Sequence, residues 1–336
     1  MSYYSTIIHQ LLTLIPRHQF EKQVSALDTD RYVKTFTTWN QFCTMLYAQA
    51  SGKQSIRDIQ NGFAVHSSKM YHLGFSSSVK RSTLAEANKK RDWRVFERLF
   101  YNLSDRCKDI TPKHKFKFKN PLYAFDATII NLCFESFPWA KFRAAKGALK
   151  LHCQLDYSGN LPCFVAATNG KYHDLTIARK FFTIIPDSIY CFDKGYMDFS
   201  WFRHINTNKA FFVTRSKKSL QYTVVGQQNA LAGREILSDE RITLSNFYAM
   251  KDYPDELRLI RYIDTETDKI LEFLTNNFKL AAKAIAHIYK ARWQIEVFFK
   301  WIKQNLKIKT FLGTSINAVL IQTHFLRLEA VFYPSS

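Results

Sequence analysis

Three acids that lie far apart in the chain have the types and surroundings for chemistry: Asp126, Asp193 and Glu296. Asp126 lies in a run of β-branched and aromatic residues, where a charge is rare unless it is paired or bound to metal. Asp193 follows a short apolar run, at the place where an open α/β sheet puts its ligands. Three carboxylates supply the hard oxygen ligands that Mg²⁺ or Mn²⁺ prefers. Two such ions can activate a water or a 3′-hydroxyl for in-line displacement at a phosphate.

The third acid lies in a stretch without glycine or proline from Lys279 to Leu312, which predicts one long helix. At the helical period, one acid, two cations and a phenol fall within an arc of about 60°: Tyr289, Arg292, Glu296 and Lys303. The acid is suited to a metal ion, and the cations and the phenol are suited to phosphate oxygens. The alternative is an ordinary amphipathic helix whose charges face the solvent.

The elements that must position these acids are predicted to be the strands of a sheet. Apolar and alternating runs predict strands at residues 121–132, 149–156, 161–167, 188–192 and 210–214. The turn Asp156–Asn160 predicts that the second and third of these form a hairpin. Gly195 permits a tight turn after Asp193. Further short runs predict a β-rich insertion at about 216–276.

The chain before these strands is predicted to be helical over residues 1–110, with a short helix starting at Ser55. Thr83 with Glu86 forms a capping box for a basic helix that continues past Arg94. A short helix, a loop rich in serine and a basic helix resemble a helix-turn-helix, so this domain is predicted to bind DNA. A solvated basic helix face is the alternative. Residues 111–120 read as a basic linker that ends in an edge strand.

The net charge and the composition of the chain restrict the class of molecule that it can bind. The 336 residues contain 48 Lys and Arg against 28 Asp and Glu, a net charge of +20, which favours a polyanion such as DNA, RNA or an anionic membrane. No apolar run of about 18 residues is present, so no segment is predicted to span a bilayer. The six cysteines are scattered without metal-site spacing, which is typical of the reducing cytoplasm.

The spacing Tyr289-x2-Arg292-x3-Glu296-x6-Lys303 resembles the Y-R-E-K signature of the insertion-sequence-four group of bacterial DDE transposases. Asp126 and Asp193 match the two aspartates of that family. The resemblance implies an α/β fold, with a ribonuclease-H-like catalytic domain over residues 121–312 that carries the β-rich insertion and follows the helical N-terminal domain. It also implies two Mg²⁺ or Mn²⁺ ions at the three acids. The predicted DNA contacts are Tyr289, Arg292, Trp293, Lys300 and Lys303.

The implied activity is cut-and-paste cleavage and strand transfer at the terminal inverted repeats of an insertion sequence. A protein with this activity would bind the repeat ends and target DNA, and it would assemble as a homodimer. It would be located in the cytoplasm, at the nucleoid. Ile316–Leu320 begins a further amphipathic helix, but residues 322–327 lose the pattern, so the tail at residues 313–336 is predicted to come from a truncated or frameshifted copy. Two alternatives follow: an inactive copy that binds the repeats and inhibits transposition, and a host nuclease with the same fold.

Overall fold

The computed structural model describes residues 7–65, 75, 78–108, 110–132, 135–143, 146–228, 234–305 and 311–332. These residues form a mixed α/β structure with one large sheet. The chain divides into two compact units, one comprising Met1–Thr111, Ile129–Leu149 and Lys300–Ser336, and the other comprising Pro112–Thr128 and Lys150–Phe299. None of the helices described here is both long enough and apolar enough to cross a membrane.

The described α-helices are α1 (Ile7–Thr13), α2 (Arg17–Ala26), α3 (Thr38–Ala50), α4 (Ile56–Val65), α5 (Arg81–Lys90), α6 (Arg94–Lys108), α7 (Asp174–Phe181), α8 (Phe199–Thr207), α9 (Phe247–Asp252), α10 (Ala282–Ala291), α11 (Trp293–Asn305) and α12 (Ile316–Phe332). The described strands are β1 (Leu122–Leu132), β2 (Lys141–Arg143), β3 (Lys146–Asp156), β4 (Leu161–Asn169), β5 (Ile189–Phe192), β6 (Phe211–Arg215), β7 (Tyr222–Gln227), β8 (Ile236–Leu244), β9 (Leu257–Asp264) and β10 (Lys269–Thr275).

Aromatic side chains from α2, α3 and α6 fill the core of the first unit. Phe20, Phe42 and Phe96 are almost fully buried, and their ring centroids lie 5.4 to 6.5 Å apart. Offset and tilted aromatic pairs at these distances add to the free energy gained by burying apolar area.

The basic helix predicted to run past Arg94 is two helices, α5 and α6. Moreover, α5 begins at Arg81, and its N-cap Lys80 makes no side-chain capping bond, so the predicted capping box of Thr83 with Glu86 is wrong. Glu86 instead forms an ion pair with Lys90 one helical turn later, at 2.9 Å.

The C-terminal helix α12 belongs to the core of the first unit. The ring centroid of Phe325 lies 5.4 Å from that of Phe42 and 5.2 Å from that of Phe96. The loss of the amphipathic pattern at residues 322–327 does not end the helix, which continues to Phe332. Residues 322–324 are buried although they are polar, so this helix is covered on more than one side and lacks the one-sided apolar stripe of a surface helix.

The sheet runs in the order β2-β3-β1-β5-β6-β10-β9-β8-β7, and β4 pairs with β3. The pairs β1–β5 and β5–β6 are parallel, whereas the remaining pairs from β6 to β7 are antiparallel. The strands of the predicted insertion therefore extend the same sheet. Gly159 and Asn160 lie in the four-residue turn of the predicted β3–β4 hairpin and have φ of 71° and 52°, a backbone conformation that glycine and asparagine tolerate.

The predicted helix from Lys279 to Leu312 is two helices that meet at Arg292. The backbone N–H of Arg292 donates to the carbonyl of Tyr289, and that of Ile295 donates to the carbonyl of Arg292, each at 3.1 Å. Such three-residue bonds tighten the chain locally. The apolar periodicity continues across this point, so the sequence pattern did not reveal the break. Residues 306–310 of the predicted helix lie outside the described residues.

The linker also differs from its prediction. Residues 110–120, which are all described, contain no strand. Instead the rings of His114, Phe116 and Phe118 contact one another, with centroids 4.9 to 5.7 Å apart. These aromatic side chains pack on each other rather than on a neighbouring strand.

Candidate active site

The parallel pair of β1 and β5 places the two aspartates side by side. The register pairs Ala124 with Cys191 and Phe125 with Phe192, and the next residue on each chain is an aspartate. Adjacent strands lie about 5 Å apart, so this register brings the backbones of Asp126 and Asp193 close together. The chain folds this way because both runs are apolar and are buried in the middle of the sheet.

The turn after β5 orients the Asp193 carboxylate. Its Oδ1 accepts a hydrogen bond from the backbone N–H of Gly195 at 2.7 Å, at the start of a 3₁₀ turn. A Cβ at position 195 would lie 3.3 Å from this oxygen. Gly195 therefore matters because it leaves space for the carboxylate, which is a different reason from the backbone freedom inferred from the sequence.

Arg292 joins the first acid to the third. Its Nη1 lies 3.3 Å from Asp126 Oδ2, and its Nη2 lies 2.5 Å from Glu296 Oε1. The side chains of Arg292, Asp126 and Glu296 are 14%, 21% and 36% exposed, so the cluster is half-buried and open on one side. The structure thus brings together residues that are 166 positions apart in the chain.

Burial and neighbouring charges shift the pKa values in this cluster. Burial raises the pKa of Asp126 to about 6, and the charges of Asp193 and Glu296 add to the rise. The backbone N–H of Ala127, which donates to Asp126 Oδ1 at 2.8 Å, and the Arg292 guanidinium oppose it. Burial alone would lower the pKa of Arg292, but its anionic and hydrogen-bonding neighbours outweigh burial and raise it, so the guanidinium stays charged.

The two aromatic residues of the predicted DNA contacts differ in exposure. Tyr289 is 9% exposed, and its ring lies 5.1 Å from Phe273 and 5.5 Å from the Arg292 guanidinium carbon. The structure therefore places Tyr289 beneath Arg292 rather than in solvent. Trp293 is 62% exposed, so its ring lies in solvent rather than in a core.

The remaining predicted cations lie on α11. Lys300 and Lys303 are exposed, and neither forms an ion pair with any residue that the structure describes. Their role in binding phosphates stays a prediction. Lys290, which the sequence did not single out, pairs with Asp264 of β9 at 2.6 Å.

The three carboxylates are chemically suited to a divalent cation, but they do not form one closed group of metal ligands in this structure. Asp126, Asp193 and Glu296 offer carboxylate oxygens, and Asp126 is influenced by the charge of both others. Among the described residues, however, no group of three or more His, Cys, Asp or Glu side chains is gathered so that it could hold a metal ion. Arg292 supplies the positive charge between two of the acids.

The contact of Arg292 with the acids was missed from the sequence, which assigned Arg292 to phosphates alone. A signal was present, because Arg292 and Glu296 are four residues apart and such pairs meet on a helix. The partner Asp126 could not be identified in this way, since only the fold brings β1 to the helix.

Comparisons with known proteins agree with one another. Residues 117–328 match a family model described as Transposase DDE domain, and residues 4–76 match a domain of unknown function, DUF4372. A putative transposase of Sinorhizobium fredii, y4zB, is 35% identical over 246 residues, which cover 71% of this chain and 66% of the relative. The probable transposase for insertion sequence element IS5377 of Geobacillus stearothermophilus is 25% identical over 72% of this chain and 63% of the relative. The matched part thus spans about two thirds of these relatives.

One solved structure, a piggyBac transposase synaptic complex with hairpin DNA, aligns with 96% of this chain and 78% of its own. The TM-score is 0.41 and the sequence identity is 9%, values too low to establish a shared fold.

Proposed function

The chain belongs to the transposase DDE-domain family, whose model matches more than half of it, and we propose that it cleaves and joins DNA at the terminal inverted repeats of an insertion sequence. The observation that supports this most is the meeting of β1, β5 and the α10–α11 break. This meeting places Asp126 beside Asp193 and links it through Arg292 to Glu296. Within this proposal, the sheet around β1 is the ribonuclease-H-like core.

The family generally uses divalent metal ions, and in this chain Asp126, Asp193 and Glu296 are the residues that would hold them. When bound, a pair of Mg²⁺ or Mn²⁺ ions supplies Lewis-acid stabilisation of the charge that develops at the attacked phosphate. The contribution of the chain is to hold the oxygens. Gly195 orients the Asp193 carboxylate, and Ala127 fixes one oxygen of Asp126.

The DNA contacts follow from charge and exposure. Lys300 and Lys303 offer exposed cations for backbone phosphates, and Trp293 offers an exposed ring on which an unpaired base can stack. The basic helix α5 is proposed to contact the repeat ends, together with α4 as a helix-turn-helix. Assembly as a homodimer and location at the nucleoid stay predictions.

The experiment is a cleavage assay on a duplex that carries the inverted repeat flanking the gene, with Mg²⁺ or Mn²⁺. We expect wild type to cut at the repeat end, and Glu296→Gln to lose at least about 100-fold in rate, since several kcal/mol of transition-state stabilisation are removed. DNA binding by Glu296→Gln should persist, because phosphate contacts supply most of the affinity. The matched control is Glu272→Gln, which removes the same charge from a half-exposed pair with Arg261 on β9 and β10.

The outcomes separate the alternatives. A protein that binds the repeat end but cuts no DNA in either metal is an inhibitor rather than an active transposase. One that cuts arbitrary duplexes as fast as the repeat is a nuclease of the same fold. Undiminished cleavage by Glu296→Gln would rule out Glu296 as a catalytic ligand.

A further inference from the structure

The contact that most needs an explanation is the one between Arg292 and two of the proposed metal ligands. Asp126 Oδ2 and Glu296 Oε1 both face the Arg292 guanidinium, at 3.3 and 2.5 Å. The other oxygen of Asp126 is already used by its own backbone, at the N–H of Ala127. Both oxygens of Asp126 thus already accept a hydrogen bond, and one of them faces the guanidinium.

The guanidinium and divalent ions compete for these oxygens. A carboxylate oxygen binds Mg²⁺ at about 2.1 Å, which leaves no space for a hydrogen bond from Arg292 along the same direction. The positive charges would also repel each other strongly in a half-buried site. Metal binding on the side of Asp126 and Glu296 that now faces Arg292 therefore favours a position of Arg292 away from at least one of them.

The position of Arg292 makes such a movement feasible. It lies at the break between α10 and α11, and its side chain is 14% exposed, so one end of it already reaches solvent. Its Nε is buried and has no hydrogen-bond partner among the described residues, so the present position does not satisfy all of its donors. A phosphate oxygen would satisfy the donors that the acids release, since arginine binds carboxylate and phosphate by the same planar fork.

We propose that Arg292 pairs with Asp126 and Glu296 in the metal-free protein and releases them when divalent ions bind, with a DNA phosphate as its second partner. We call this pairing of Arg292 with the two acids the latch. This inference rests on the proposed function, because it takes the two acids as metal ligands and DNA as the substrate. It adds that metal and DNA bind cooperatively, because each favours the state in which the latch is released. By linkage, DNA must tighten metal binding by the same factor by which metal tightens DNA binding.

The test measures Mn²⁺ binding by electron paramagnetic resonance, with and without the repeat-end duplex. For wild type we expect DNA to tighten Mn²⁺ binding by about 5- to 150-fold, the usual range of such coupling. Arg292→Met should bind Mn²⁺ more tightly than wild type without DNA, and the addition of DNA should change its affinity far less. A purely structural role of Arg292 would not raise metal affinity.

Two further variants keep the test decisive. Arg292→Lys retains the charge but holds only one carboxylate well, so it should also bind Mn²⁺ more tightly than wild type, by a smaller factor. Arg241→Met removes an arginine from a half-exposed pair with Glu256 and should leave Mn²⁺ binding unchanged. Thermal unfolding followed by circular dichroism identifies any variant that fails to fold, in which case Arg292→Lys decides.

The latch is overturned if Arg292→Met and Arg292→Lys bind Mn²⁺ no more tightly than wild type, or if wild type shows no coupling between metal and DNA. Failure of the proposed function has a different signature. In that case Glu296→Gln would bind Mn²⁺ as wild type does, and wild type would not cut the repeat end.

Discussion

Two arginine–carboxylate clusters in the second unit differ in how completely their polar atoms are paired. Arg258 is fully buried, and its Nε and Nη2 donate to the two oxygens of Asp239 at 2.7 Å each. Its Nη1 donates to the carbonyls of Asn277 and Leu280, at 2.9 and 2.6 Å. Arg292 instead makes one contact with each of two partly exposed acids, and its buried Nε has no described partner.

The difference separates a structural pair from the pair in the proposed active site. In the Arg258 cluster every nitrogen of the guanidinium and both oxygens of the acid have a partner, so a ligand has little to add there. This cluster joins β8 and β9 to the segment just before α10. The Arg292 cluster leaves oxygens and a donor to be completed by a ligand, and burial, together with the charges of the neighbouring acids, raises the pKa of Asp126. Incomplete pairing of this kind is typical of sites that bind or react.

The largest expected effect is on stability at Arg258. Arg258→Met should lower the free energy of unfolding by about 3–5 kcal/mol, because Asp239 is left buried and unpaired. Arg292→Met should lower it by about 1 kcal/mol, because its acids still reach water. Urea unfolding of both variants at pH 7 measures the two values.

A double variant sharpens this contrast. Replacing both Arg258 and Asp239 by apolar residues should recover much of the loss, since no buried charge then remains. Equal losses for Arg258→Met and Arg292→Met would show that the two clusters do not differ in the way proposed.

A smaller effect is expected at Trp293, the exposed residue that follows Arg292 in the chain. Trp293→Ala should weaken binding to DNA with unpaired bases by about 1–3 kcal/mol, the value of one stacked base, and change stability by under about 0.5 kcal/mol. Trp201, which is 2% exposed in the same unit, is the control: Trp201→Ala should cost about 3–5 kcal/mol of stability. Unchanged DNA affinity in folded Trp293→Ala would remove Trp293 from the DNA contacts.

The smallest effect concerns pH in the metal-free protein. Burial, with the neighbouring acids, raises the pKa of Asp126 from its usual value near 3.9 to about 6, so the folded state binds the proton more tightly than the unfolded state. The stability that this proton contributes is present at low pH and is lost as pH rises through about 6. Between pH 7 and pH 5, wild type should gain about 1 kcal/mol relative to Asp126→Asn, as measured by urea unfolding. If the difference in free energy of unfolding between wild type and Asp126→Asn does not change with pH, the raised pKa of Asp126 is contradicted.

The sequence was sufficient to predict the local elements that hold the aspartates. The apolar runs around Asp126 and Asp193 form β1 and β5 because burial in the middle of a sheet leaves a clear composition signal. The hairpin of β3 and β4 was predicted for a similar reason, since its turn requires residues that tolerate positive φ.

The sequence was not sufficient for features that depend on distant neighbours. The break at Arg292 leaves the apolar period intact, and α12 is covered by residues from the other end of the chain. The partners of Arg258 and Arg292 are likewise chosen by the fold. A helical pattern can place Arg292 beside Glu296, but it carries no information about Asp126.

The most direct test of the proposed metal site and of the latch is anomalous diffraction from crystals of the protein bound to the repeat-end duplex in Mn²⁺. We expect manganese peaks in contact with Asp126, Asp193 and Glu296, with the Arg292 guanidinium turned away from the acids towards a phosphate. Crystals in which Arg292 still joins Asp126 to Glu296, with no peak at the three carboxylates at an Mn²⁺ concentration that supports cleavage, would contradict this expectation.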